Sequence, residues 1–319
     1  MTKITSSLFV AILLSPGLQV ASAQAQLVRT CVSLAKGNDA NASSNCHCTT
    51  PCRTFATAHN NTLADGEITV LDPGDYGGLT ITKSISINND SGGEASITVS
   101  GNSVGIIVNA PATAYVNLRG LTIQGVGFGS TTGLTFNSGF SLTMKNCVIR
   151  NHTAFGLAFQ PNASSNLAVS NTLVADNGQS GIVVQPVGSG TVKATLNRVE
   201  ANNNSFAGIW LVGVFSTGMI NATVSDSVVA NNAGTGFIAQ SSAGHAATSL
   251  MLVRSVAANN GVGLQADGAP ATLRIGQSTL TGNGVSWLAQ SSAVLRSYGD
   301  NNINGNGDGD PAPTGIAKK

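Results

Sequence analysis

What most constrains this chain is a repeat. Aligned on Asn and Gly, it reads "LTMKNCVIRNHTAFGLAF", "LAVSNTLVADNGQSGIVV", "ATLNRVEANNNSFAGIWL", "ATVSDSVVANNAGTGFIA", "LMLVRSVAANNGVGLQA" and "LRIGQSTLTGNGVSWLA", flanked by "VNLRGLTIQG" and "RSYGDNNINGNG". The column His152, Asn177, Asn204, Asn232, Asn260, Asn283, Asn306 advances in steps of 25, 27, 28, 28, 23 and 23 residues. A unit of this length cannot bury its own apolar face and must stack on a neighbour to do so.

Alternation with period two sorts the side chains within each unit. One inward column runs Leu118, Met144, Val169, Leu196, Val224, Leu252, Ile275, Tyr298, and a second runs Ile123, Ile149, Val174, Ala201, Val229, Ala257, Leu280, Ile303. A third, Leu134, Leu157, Ile182, Ile209, Phe237, Leu264, Trp287, follows a Gly in six of its seven members. Three short strands per turn with aligned columns describe an all-β parallel β-helix of about ten coils spanning residues 66–306, with coils about 4.8 Å apart. The Asn column then reads as scaffold: stacked amides hydrogen-bond along the axis and tolerate a left-handed turn.

The stretch "VLDPGDYGGLTITKSISINN", residues 70–89, places an Asp-Pro-Gly turn and a Tyr ahead of the first regular strands. With the repeat, it resembles the right-handed parallel β-helix proteins of the pectin-lyase-like superfamily. The right-handed winding is implied by that resemblance and by the general preference of parallel crossovers. "PCRTFATA" followed by "GEITVLDPGDYGG" is also similar to a group of bacterial secreted β-helix proteins.

A solenoid must close its ends. Residues 26–65 are expected to form an N-terminal cap, with Thr50 and Pro51 starting a short helix that runs to about Asn61 and turns Phe55 and Ala58 inward. Cys31, Cys46, Cys48 and Cys52 read as two disulfides of open connectivity. A metal site at "CHCTTPC" lacks the separated pairs of a zinc finger. The fifth cysteine, Cys147, shares an inward column with Leu121, Thr172, Val199, Ser227 and Ser255 and is expected to be a buried free thiol. Residues 307–319 are expected to be a flexible tail.

Residues 1–25 have the pattern of a secretory signal peptide: Lys3, an apolar Leu8–Leu14 core, then Ala21-Ser22-Ala23 and Ala25. The expected product is exported, secreted or periplasmic, and monomeric. No later apolar run is long enough to span a bilayer. Without Lys3 the 15 basic residues become 14, equal to the 14 acidic ones. This balance argues against nucleic acid as a partner.

The resemblance implies action on acidic polysaccharides and can be tested residue by residue. Polygalacturonase-like hydrolases share an Asn-Thr-Asp, an Asp-Asp pair, a Gly-His-Gly and an Arg-Ile-Lys. This chain offers only "NTL" at residues 171–173 and "GHA" at 244–246. The paired carboxylates that hydrolysis needs are not visible. Pectate-lyase-like enzymes hold Ca²⁺ with clustered carboxylates, but between Glu94 and Asp267 the acids are Asp176, Glu200 and Asp226 alone, a weak Ca²⁺ cluster at best. No cofactor or metal is therefore assigned.

The most informative outward column is Asn146, Asn171, Arg198, Asp226, Arg254, Gln277, Asp300. Arg198, Asp226 and Arg254 fall on consecutive coils and read as a ladder of alternating charge, or as a site where Arg198 or Arg254 grips a carboxylate bidentately. Trp210 alternates with inward Ile209 and Leu211, so it points outward and could stack on sugar rings unless the loop of residues 212–218 folds over it. The acids Asp65, Glu67, Asp72 and Asp75 belong mostly to turns. "NGNGDGDP", residues 304–311, resembles half a calcium loop but has Gly315 where the closing glutamate should stand.

The expectation is a non-catalytic β-helix presenting a rigid face to an extracellular polysaccharide, with Arg198, Arg254 and Trp210 as substrate-binding residues. The alternatives are a polysaccharide lyase or glycoside hydrolase working through Arg198, Glu200, Asp226 and Arg254, and a surface or adhesion module.

Overall fold

The computed structural model describes residues 26–90, 92–126 and 131–318. The stretch expected to be a signal peptide lies outside them. Among the described residues every strand pairing is parallel, within one sheet of 19 strands and another of 9. A typical coil enters the first sheet at Ile220–Ser225, bends, continues as Val228–Ala230, turns at Asn231 and Asn232, and crosses the second sheet as Thr235–Gln240. In Ser165–Ala175 and Val192–Asn202 the two first-sheet runs are continuous through the bend.

The nine second-sheet strands delimit about 8 turns, fewer than the ten expected from the repeat. Both ends are incomplete. The opening coil follows Thr62–Val70 with only the short runs Gly74–Asp75 and Leu79–Ile81, and the final one stops at Asn302–Ile303 without reaching the second sheet.

The inward columns stack in the expected register, for example Leu196 on Val224 on Leu252 and Ile209 on Phe237 on Leu264. The last member of the first column is displaced by one: Ser297, not Tyr298, pairs with Ile275. A slip of one residue turns a side chain to the opposite face, and Tyr298 accordingly lines a surface hollow. The glycine preceding the third column has a steric cause. A Cβ on Gly208 would lie 2.1 Å from Val229 Cγ1 and 3.0 Å from Asn232 Nδ2. Where Ser286 replaces that glycine, its N–H and hydroxyl both donate to Asp308 Oδ2, at 2.9 and 2.8 Å.

The Asn column forms a continuous ladder. Asn177, Asn204, Asn232, Asn260 and Asn283 each donate from Nδ2 to the Oδ1 of the next member at 2.9–3.0 Å. In four of these steps the second amide hydrogen goes to a main-chain carbonyl one coil back, as Asn232 Nδ2 does to Ala201 O. These amides do not themselves take the left-handed turn. Positive φ falls on the preceding residues, Asn151, Asp176, Asn203, Asn231 and Asn259. His152 heads the ladder, its N–H donating to Asn177 Oδ1. Burial pushes its imidazole pKa below 6.5.

At the other end Asp310 closes the ladder, accepting from Asn306 N at 2.9 Å, Asn306 Nδ2 at 2.8 Å and Gly305 N at 2.9 Å. The half calcium loop is thus an end cap built from carboxylates. The tail expected to be flexible returns along the last coil: Ser297 N donates to Thr314 O, Ile316 N to Ser297 O, and Lys318 Nζ pairs with Asp300 at 2.6 Å. Those bonds occupy the strand edge that the final rung would otherwise leave open.

The N-terminal cap pairs strand Leu27–Val32 with Thr62–Val70 and carries disulfides Cys31–Cys48 and Cys46–Cys52. The helix is Phe55–Asn61 with Thr54 as N-cap, shorter than expected from Thr50 and Pro51. Cys52 N donates to Cys31 O, and Asp39 accepts from Arg53 N, Thr54 N and Thr54 Oγ1. These bonds hold residues 52–54 out of helical geometry. Phe55 and Ala58 are fully buried. Tyr76, from the Asp-Pro-Gly-x-Tyr turn, packs its ring 5.0 Å from Phe55 and donates its hydroxyl to Asp72, joining the cap helix to the first coil. Cys147 is buried and free, as its column implied.

Candidate functional site

The bend within the first sheet places one residue per coil in left-handed conformation: Asn146, Asn171, Arg198, Asp226, Arg254 and Gln277, with φ between 45° and 55°. Asn and Asp accept this backbone readily, because their short polar side chains bond locally. Arg does not. Two arginines at bends that otherwise use Asn, Asp or Gln mark places where the side chain is retained despite an unfavourable backbone.

The bend lines a groove of about 620 Å³. Val148, Leu173 and Val228 give it an apolar floor, interrupted by Glu200, which stands in register between Leu173 and Val228. Arg198 rises at its centre. The alternating ladder expected here is broken into two parts. Arg254 grips Asp226 bidentately, Nε to Oδ1 at 2.8 Å and Nη2 to Oδ2 at 3.0 Å, and Asn197 Nδ2 adds a bond at 3.0 Å. The hydrogen bond from Arg254 holds the Asp226 carboxyl below its ordinary value and raises the pKa of Arg254.

Arg198 instead donates Nε to Asn171 Oδ1 at 2.6 Å, and Asn171 in turn donates to Asn146. Arg198 makes no hydrogen bond to Asp226, though its charge also favours that carboxylate. Among the described residues its two terminal guanidinium nitrogens carry no hydrogen bond, and neither does the Glu200 carboxylate. The groove therefore offers one exposed, forked cation and one exposed carboxylate over apolar ground. Asp226, engaged by Arg254, is neither a free second carboxylate nor a free calcium ligand. Among the described residues no three His, Cys, Asp or Glu side chains converge as a metal site.

Trp210 does not belong to this groove. It stands on the second sheet, where Ala158, Val183 and Val212 form a satellite cluster against which Phe155, Trp210 and Val214 pack. Phe206 covers it edge-on at 5.0 Å, and its indole N–H donates to Gln240 Oε1 at 3.2 Å. An open stacking platform at Trp210 is thus not what the fold builds, since Val212 at the end of its strand and Val214 in the loop that follows both join the packing.

The sequence reading missed that the coil cations are confined to one face. Arg119, Lys145, Arg150, Lys193, Arg198, Arg254, Arg274 and Arg296 all lie on the first sheet or its bend, whereas no second-sheet strand contains a Lys or Arg. Balanced overall, the chain spreads these cations across several columns of one face, where Glu67, Glu200 and Asp226 also lie and where Asp90 and Asp226 engage Arg119 and Arg254. The signal lay in the phase of each Lys and Arg within the repeat.

The chain belongs to the right-handed β-helix region family, which it matches over residues 54–245 and 104–308. Winding is therefore right-handed, as the resemblance implied. Among solved structures it is similar to pectate lyase Pel9A, at 18% identity and a TM-score of 0.62, over 91% of this chain and 78% of that one. It is also similar to the A-module of mannuronan C-5 epimerase AlgE4 from Azotobacter vinelandii, at 12% identity and a TM-score of 0.44, over 80% and 91% of the two chains. No curated protein matched the chain.

Proposed function

We propose that the protein binds an acidic, uronate-bearing polysaccharide along the basic face of its first sheet, with the groove around Arg198 as the principal contact, and that it does so without cleaving the polymer. The observation carrying this reading is the Arg198 guanidinium, held at a left-handed bend with its Nη atoms unengaged. Such a fork matches a carboxylate bidentately. The apolar floor supports the sugar ring, and cations on several coils of the same face suit a linear polyanion. Fold likeness to a pectate lyase agrees with a polymer of this class. Glu200 is a single free acid, and hydrolysis requires two. The two disulfides fit an oxidising compartment such as the periplasm or the extracellular space.

Affinity electrophoresis with polygalacturonate and alginate, repeated with chelator, tests the proposal. Arg198→Asn keeps a residue suited to the bend, and the loss of a charge-assisted bond should weaken binding by about tenfold. Equal retardation of wild type and Arg198→Asn would refute the contact. Appearance of unsaturated products or new reducing ends would replace the binding reading with an enzymatic one.

A further inference from the structure

We propose a second glycan-binding site at a different corner of the coil, specific for an uncharged polysaccharide strand and centred on Phe215. It is independent of the Arg198 groove. The loops leaving four successive second-sheet strands stack on one another through main-chain and hydroxyl bonds: Val187 N to Pro161 O at 2.9 Å, Thr217 N and Ser216 Oγ to Gly188 O at 2.8 Å, and Ala246 N to Ser216 O at 2.8 Å. This stack fixes the loop of residues 212–219 and holds the Phe215 ring outward, 57% exposed. Beside it Val187 is 43% exposed. A large ring kept in water by a well-bonded loop forgoes burial that the fold offers to Trp210 nearby.

Phe215 is the shared wall of two hollows. One, of about 430 Å³, is lined by Asn137, Gln160, Asn162, Gln185 and Val187, and the other, of about 450 Å³, by Ser189, Ser216, Thr217 and His245 among others. Neither contains Lys, Arg, Asp or Glu. Gln160 Nε2 donates to Gln185 Oε1 at 2.8 Å, and Asn137 Nδ2 donates to Asn109 Oδ1 at 2.9 Å. The pairing orients the amides and leaves Gln160 Oε1 as an acceptor and Gln185 Nε2 as a donor.

An aromatic face beside planar amides suits a ligand with an apolar C–H face and hydroxyls that both donate and accept. That is the chemistry of a sugar ring. With no cation in either lining, a uronate gains nothing here, so the ligand class is neutral. The lining residues come from five consecutive coils, about 19 Å at the ~4.8 Å spacing of parallel strands, which requires an extended strand of several sugars rather than a monosaccharide.

The test is affinity electrophoresis of wild type, Phe215→Ala and Gln185→Ala against neutral galactan, arabinan, xylan and β-glucan, with polygalacturonate in parallel. At least one neutral polymer should retard the wild type. Phe215→Ala should weaken that retardation by about tenfold, with an unchanged melting temperature and unchanged polygalacturonate binding. No retardation by any neutral polymer, or equal retardation of wild type and Phe215→Ala, overturns the proposal. So does a Phe215-dependent dimer in sedimentation velocity, which would assign the ring to a second copy of the chain.

Discussion

Replacing Asn232 by Ala tests the ladder at its centre. Asn232 is 1% exposed. Its Oδ1 accepts from Asn204 N at 3.0 Å and Asn204 Nδ2 at 2.9 Å, and its Nδ2 donates to Asn260 Oδ1 at 2.9 Å and Ala201 O at 3.0 Å. The substitution removes all four bonds and deprives two buried Asn204 hydrogens of their acceptor. A stranded buried donor costs about 1–3 kcal/mol, so the loss should be about 3–5 kcal/mol. That is a large share of the ~5–15 kcal/mol by which a domain is stable.

Its neighbour provides the control. Asn231 takes the left-handed turn at φ 58° but contributes no ladder amide, so Asn231→Ala should cost only about 1–2 kcal/mol, the backbone penalty. Urea unfolding, followed by far-ultraviolet circular dichroism and tryptophan fluorescence, measures both, and coincident transitions license the comparison. If the two variants fall within about 1 kcal/mol of each other, the ladder is not a stabilising network and the reasoning fails.

Three further outcomes are expected. Gly208→Ala places a methyl against Val229 and the Asn232 amide, and should lower stability by about 1–3 kcal/mol through overpacking, read from the urea midpoint. Arg198→Asn, besides weakening polymer binding, should leave stability unchanged or raise it by up to about 1–2 kcal/mol, since Asn suits the left-handed bend; a lower midpoint would contradict the account of that backbone. His152 is kept neutral by burial, so below 6.5 the unfolded chain binds a proton that the folded chain refuses. Stability should therefore climb with pH between the folded pKa of His152 and 6.5. His152→Asn should remove part of that climb, the remainder coming from His59, whose imidazole pKa burial also lowers; a slope unchanged by the substitution would place the titrating group elsewhere.

Phase within the repeat made the core legible before any coordinates. The columns from Leu118, Ile123 and Leu134 appear in register because a stacked coil repeats its interior, and the buried Cys147 follows from its column alone. The slip at Tyr298 and the length of the cap helix did not show, since both arise where the repeat ends and neighbours set the geometry. The candidate site was legible as a list of outward residues, Arg198, Glu200, Asp226 and Arg254, but not as a network. Period two says which way a side chain points, and cannot say whether Asp226 will be taken by the arginine before it or the one after.

Local order and periodicity alone therefore dictated a parallel solenoid, its Asn ladder and the half of each strand that faces inward, because these are consequences of spacing along one chain. Pairing was settled only by the assembled coils: Arg254 rather than Arg198 engages Asp226, the loop behind Trp210 packs against its cluster while Phe215 stays in water, and the C-terminal carboxylates close the ladder. Each of those outcomes is a competition among partners brought together from different turns, and such a competition exists only once the turns are stacked.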